Sequence, residues 1–406
     1  MILVPNRPLP LNGNKAIALI IILFIGGLGI PKLSLASAKF KVARLKAHTD
    51  TPKVATISLL LPFGTDHLQP SSPFTPGRLK ETAIAVDYYN GFKLAIDSLT
   101  SLGLNFKLQV FDTKDQIATA KLLGSNASII AGNLVVGPVF PEGIKAFTTN
   151  YLKAGGVMVV SPLSASSPSN YKYPGLITVI PPLEYHANAS AKYVTDKLKA
   201  TKVFILKSGA AEENDYIKPF TKAADSLSNK QTQIISLTVN NGLLNTILAQ
   251  LSKTDQNIFV LPSTDHHFLN VTLNALDSLN LAYPVTVIGH PGWVNLDFLR
   301  GEQLQKLNTV ITSTDLVDYK ALNTISFLRL YRKTYKTEAT PYAIKGYDEG
   351  LYFGKLLATA GADHIETVDF TGLHNSFHFE KKGGLGWVNT HVEILKYVNF
   401  ELKKVE

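Results

Sequence analysis

Between residues 54 and 288, short apolar runs alternate with amphipathic stretches, and the alternation runs through twice. Residues 54–61 (VATISLLL) read as a buried strand, followed by a polar, proline-rich loop over 63–82 that is longer than a usual strand-to-helix connection. Ala85, Tyr89, Phe92, Ile96 and Leu99 then fall on one face of a helix. Strands are predicted at 104–111, 134–136 and 157–160, a helix at 141–152, and a short helix opened by a Thr113–Gln116 capping-box pair. After an apolar run at 177–180 and Pro181-Pro182 the rhythm restarts. Helices at 185–198, 216–227, 243–251 and 268–279 separate strands at 203–206, 234–239, 258–261 and 285–288. Strands joined by helices imply βαβ units and parallel sheets, and continuous apolar strands imply sheets covered on both faces. The expected fold class is therefore α/β, with two doubly wound parallel-sheet lobes. The last quarter does not restart the pattern: a strand at 310–313 precedes helices at 319–335 and 342–360, and strand-like pieces at 376–379 and 391–398 end the chain.

At 406 residues, 45% apolar and 17% charged, the chain is long enough for two or three domains of roughly 150 residues, each with its own core. It has no cysteine, which excludes disulfide scaffolds, thiolate zinc sites, a cysteine nucleophile and a lipid-modified cysteine anchor. Residues 16–30 form an apolar run behind Arg7 and Lys15, and Ala36-Ser37-Ala38 follows as a cleavage pattern. That is the plan of a secretory signal peptide over 1–38, and the run is shorter than the ~20 residues that span a bilayer. Cleavage there removes three basic residues and no acid, leaving +6 of the +9 net charge. The expected location is periplasmic or secreted, with no stable membrane span after cleavage. No block of basic residues stands out, so nucleic acid is not an expected partner.

Catalytic signatures are missing. The sequence has no H-E-x-x-H, no G-x-S-x-G, no P-loop and no G-x-G-x-x-G after a strand. His266 and His267 would point about 100° apart on a helix, and His374 and His378 lack a third ligand at matching spacing. No enzymatic activity, metal or cofactor is expected.

Several tetrapeptides recur in an order that carries more than any one of them. YYNGFKLAIDSL holds Asn90-Gly91 in the first helix; VFDT ends the second strand; Val135–Pro138 (VVGP) and Val159–Pro162 (VVSP) are strand-end turns. Gly346-Tyr347-Asp348 opens the late helix, and FHFEKKGGLGW at 377–387 has the look of a terminal hairpin. From ISLLLPFG at 57–64 to the C-terminus, this series resembles the type I periplasmic solute-binding proteins, the leucine/isoleucine/valine-binding receptor family. The branch it is most similar to often carries LysM repeats, for which 39–53 leaves no room. The resemblance implies three crossovers forming a hinge, with lobe one at 53–181 plus 316–376 and lobe two at 182–315 plus 377–406. Ligand would lie at the carboxyl ends of both sheets.

It also implies which residues would hold a small polar, amino-acid-like ligand. In lobe one these are Val139 and Phe140 in the turn 137–143, and Ser161, Leu163, Ser164 and Ala165 in the turn 161–166. In lobe two they are Lys207 and Ser208, Asp265, and His290 and Trp293. Amino-acid binders usually place serines where this chain has Phe140 and Glu142; Glu142 complements the helix dipole or repels an anionic ligand. Asp265 either meets the ligand or caps the helix after it, and Trp293 is either a stacking wall or a core residue. The implied partners are transporter membrane subunits of the ABC type, for uptake or sensing. In the alternative, a cell-envelope protein is regulated by the same fold without transport.

Overall fold

A computed structural model describes residues 54–67, 75–156, 158–359, 361, 364–365 and 369–405; the expected signal segment lies outside them. The first alternation builds β1 (Ala55–Leu61), α1 (Pro76–Ser101), β2 (Phe106–Asp112), α2 (Ile117–Leu123), α3 (Ala127–Ile130), β3 (Leu134–Val136), α4 (Pro141–Lys153), β4 (Val159–Ser161) and β5 (Leu176–Thr178). The second builds α5 (Leu183–Lys192), β6 (Lys202–Lys207), α6 (Asn214–Leu227), β7 (Gln233–Thr238), β8 (Asn257–Leu261), α7 (His266–Leu279), β9 (Val285–Gly289), α8 (Gly301–Lys306) and β10 (Val310–Ser313). The remainder supplies α9 (Leu322–Tyr335), α10 (Pro341–Thr359), the short pair β11 (Phe370–Thr371) and β12 (Ser376–Phe377), and β13 (Phe379–Lys382), β14 (Gly386–Asn389), β15 (Glu393–Val398) and β16 (Glu401–Lys404).

Two seven-stranded sheets result, ordered β13-β14-β5-β4-β3-β1-β2 and β16-β15-β10-β9-β8-β6-β7. The central strands run parallel; β13 in the first sheet and β15 and β16 in the second are the antiparallel additions. Burial follows position. The inner strands β3, β8 and β9 are buried along their whole length, whereas the edge strands β2 and β7 are partly exposed. This is the pattern of sheets covered on both faces by helices.

The Asn90-Gly91 and Gly346-Tyr347-Asp348 motifs acquire a physical meaning where α1 meets α10. A Cβ on Gly91 would overlap the carbonyl of Ala343, and one on Gly346 would overlap the carbonyl of Tyr88. The two helices approach closely because glycines face each other's backbones. Around that contact Tyr88, Phe92, Tyr352 and Phe353 are fully buried, each contributing about 2–3 kcal/mol by leaving water.

Four expectations need correction. The terminal hairpin, assigned with 377–406 to lobe two, belongs to the first sheet up to Asn389: β14 pairs in parallel with β5, Trp387 opposite Ile177. Its turn depends on Gly386 at φ +97, where a Cβ would overlap the Leu176 carbonyl. Helix α1 begins at Pro76, inside the expected loop, because proline's fixed φ suits the first turn of a helix. The Thr113–Gln116 capping box does not form: Gln116 caps α2 without a side-chain bond, and the Thr113 N–H donates to the Leu61 carbonyl. The stretch 243–251 holds a 3₁₀ turn, Asn245–Gln250, rather than an α-helix.

Candidate functional site

The loops at the carboxyl ends of the first sheet are shaped by Gly137 and Asp112. Gly137 has φ +98 and no room for a Cβ beside the Leu60 carbonyl, so the chain leaves β3 along a path open to glycine alone. Val139 is buried, and Phe140, half-buried, is the N-cap residue of α4. Asp112 gathers the neighbouring loops: Gly64 N and Thr65 N donate to it at 3.1 and 2.8 Å, the Thr65 hydroxyl at 2.7 Å and Lys114 N at 2.8 Å. Burial alone would raise its pKa, but these donors together hold it below the usual carboxylate range.

Between the α2 and α4 starts lies a cavity of about 460 Å³, with Thr113, Asp115 and Gln116 on one wall and Val139, Phe140 and Glu142 on the other. No lysine or arginine lines it. Asp115, at φ +50, has a pKa raised first by burial and then by the charge of Glu81. Two carboxylates and no basic side chain thus border the cavity, opposed by the positive N-terminal end of α4, whose first turn lines it.

The next loop is less open. Ser161 is fully buried at the end of β4, with its hydroxyl unpaired, and offers no surface to a guest. Leu163 packs against the first core, Ala165 is exposed, and the Ser164 hydroxyl donates to Ser166 Oγ at 3.0 Å.

In the second lobe the expected residues bond mainly to their own loops. Lys207 ends β6 half-buried. Ser208 donates its N–H and hydroxyl to Glu213 Oε1 at 3.0 and 2.9 Å, while Gly209 N reaches Oε2 at 3.1 Å. Glu213, itself buried, was missed in the sequence because nothing in its spacing distinguishes a loop-closing acid from a surface one. Asp265 caps α7, accepting from Phe268 N at 2.7 Å. Trp293 is 1% exposed, and its indole N–H donates to the Ser263 carbonyl at 2.8 Å. It is a core side chain that ties two loops together, not a wall for a ligand ring.

His290 lies over Tyr216, ring centroids 5.8 Å apart, and its Nδ1 accepts from Gly292 N at 3.0 Å. That bond leaves Nε2 as the protonated nitrogen of the neutral ring. Burial lowers the His290 pKa to about 4, and burial together with His290 lowers that of His186 to about 4, against a smaller opposing pull from Asp315. His186 Nδ1 is 3.0 Å from Thr312 Oγ1. Among the described residues, no hydrogen bond joins the first-lobe candidates to the second-lobe candidates.

The crossovers hold polar groups that the sequence reading did not single out. Asn389, fully buried, donates to the Val179 and Ser376 carbonyls at 3.0 and 3.2 Å and accepts from His378 N and His391 N at 3.0 and 3.1 Å. One side chain thus fastens the first crossover to the third. The second crossover is fixed where Leu316 N donates to the His374 carbonyl and Lys345 pairs with Asp315 at 2.7 Å. Asp348 accepts from Leu373 N, His374 N and the His374 ring. Beside it Glu349, fully buried, accepts from the Tyr88 hydroxyl at 2.8 Å, and burial first of all drives its pKa well upward.

No protein-family model and no curated protein matches the sequence. Solved structures do. A putative branched-chain amino acid ABC transporter from Rhodospirillum rubrum is 14% identical, with TM-score 0.62 over 87% of this chain and 100% of that one. This is the type I periplasmic binding protein fold. An ABC transporter substrate-binding protein from Desulfitobacterium hafniense, in complex with Leu, shares it at 16% identity and TM-score 0.55, over 87% of this chain and 100% of that one. So does the C-domain of LpoA from Haemophilus influenzae, a regulator of PBP1A, at 13% identity and TM-score 0.58, with the same coverage of both chains.

Proposed function

We propose that the chain is an extracytoplasmic, non-catalytic solute-binding protein that closes its two lobes over a small polar, amino-acid-like ligand, for ABC-type uptake or sensing. The cavity of about 460 Å³ at the carboxyl ends of the first sheet carries this reading, because it sits where doubly wound sheets receive ligands. Asp115 and Glu142 supply counter-charge for an ammonium group, and Phe140 supplies an apolar wall. Closure is favoured when the guest touches both lobes, since only contacts made in the closed state shift the equilibrium. His290 Nε2–H is the second-lobe donor this reading assigns to the closed state.

Thermal-shift measurements with cationic, zwitterionic and anionic small molecules test it. A zwitterionic or cationic ligand at 100 times its dissociation constant adds about 2.7 kcal/mol of stability, and Asp115→Asn with Glu142→Gln removes most of that gain. Stabilisation by anionic compounds alone would contradict the acid-lined cavity. Absence of any response would favour the second reading, a non-transport interaction protein that regulates a cell-envelope enzyme or complex. The second lobe favours that reading, because Ser208, Asp265 and Trp293 are already engaged by their own loops.

A further inference from the structure

A groove runs along α5 and α6 of the second lobe and reaches the first sheet's hairpin at Lys382. It consists of two adjoining cavities, of about 750 and 590 Å³, that share Lys218, Lys222 and Ser226 of α6. Its floor is apolar: Ile217, Pro219, Ala223 and Leu227 line it, and Leu227 is 45% exposed. Its rim is basic. Lys218 and Lys222 stand one turn apart on α6, Lys192 projects from the facing α5, and Lys230 follows the end of α6. None of these four has an ion-pair partner among the described residues, and all are exposed. A fifth, Lys382, comes from the first lobe's hairpin, where it pairs with Glu380 at 2.7 Å and lies 5.5 Å from the centre of the Tyr185 ring. The acids lining the groove are Glu184 and Asp225, so positive charge is in excess.

We propose that this groove docks an acidic, aliphatic-bearing segment of a partner protein. Charge complementarity requires an anionic occupant, and the floor decides its kind. A phosphate-rich polymer would answer the lysines but leave Leu227 and Pro219 uncovered, whereas a segment alternating carboxylates with leucine-like side chains satisfies rim and floor together. The rim holds no arginine, so it presents point charges rather than the bidentate forks that select single phosphates. The site is separate from the strand-end cavity and does not depend on whether that cavity binds a solute.

The test uses the full chain and a fluorescein-labelled peptide of alternating Glu and Leu, with binding read by fluorescence anisotropy. Saturable binding that weakens as salt rises is expected. The double charge reversal Lys218→Glu, Lys222→Glu should weaken it about tenfold or more. Leu227→Ser should weaken it several-fold, and Lys107→Glu, an exposed lysine on β2, should leave it unchanged. Unchanged unfolding midpoints establish that the variants are folded. Binding indifferent to the charge reversal overturns the proposal. So does inorganic polyphosphate binding as tightly as the peptide with no effect of Leu227→Ser, which would assign the groove to an anionic polymer instead.

Discussion

At the carboxyl ends of the first sheet, Asp115 and Glu142 border a cavity of about 460 Å³, while at the same ends of the second sheet Ser208, Asp265, His290 and Trp293 are hydrogen-bonded within their own loops. The two lobes share the order of their five central parallel strands, so the difference does not come from that core. It comes from what each polar side chain faces once the strand ends. A carboxylate with backbone N–H groups in reach, as Glu213 has, is satisfied without a guest. Asp115, with burial and Glu81 against it, gains from a cation. The strand ends of the two lobes thus differ: one borders an open recess lined by acids, and the loops of the other are closed by their own hydrogen bonds.

The sharpest way to break this contrast is at Trp293. Trp293→Ala should cost about 3–5 kcal/mol in urea unfolding, the range for a large buried aromatic. A loss below ~1 kcal/mol would return the indole to the open cleft and erase the difference between the lobes. Per residue, a smaller effect comes from pH. His186 and His290 have native pKa values near 4, against an unfolded value near 6.5, so between those limits the unfolded chain binds protons that the native chain refuses. Stability is fully present above pH 6.5 and falls as pH drops toward 4, by on the order of 2–3 kcal/mol per histidine. Unfolding midpoints measured across this window should slope, and His290→Gln should flatten the slope. Smallest is Asp265→Ala, expected to cost about 1 kcal/mol as a lost helix cap while leaving any ligand-induced thermal shift intact. Loss of the ligand shift instead would place Asp265 in the site.

Much of the architecture was legible because buried parallel strands are unbroken apolar runs. The runs around Val135, Phe259 and Val287 mark inner strands without help from their neighbours. The hairpin at 379–389 was not legible in this way. Its antiparallel strands carry no local signal of which sheet they will extend, and pairing with β5 is decided by a glycine fit across some two hundred residues. The functional loops were legible as turns but not as surfaces. Ser164 and Ser208 look alike in sequence, yet one meets a neighbouring serine and the other a buried glutamate five residues on. Asp115 and Glu142 were harder still, since only the fold brings the starts of α2 and α4 to one recess.

The glycine-to-backbone seam between α1 and α10 has a consequence for how the molecule comes to exist. Tyr88 and Glu349, bonded across that seam, are 261 residues apart, and the whole parallel core of the second lobe is encoded between them. During synthesis α1 emerges long before the helix that covers it, while β6 through β10 can pair among themselves meanwhile. The half that begins the chain therefore waits for residues up to Asn389 before its sheet and its covering helix are complete. A product truncated before Pro341 would leave the flank of Phe92 and Tyr88 bare, a ready surface for aggregation.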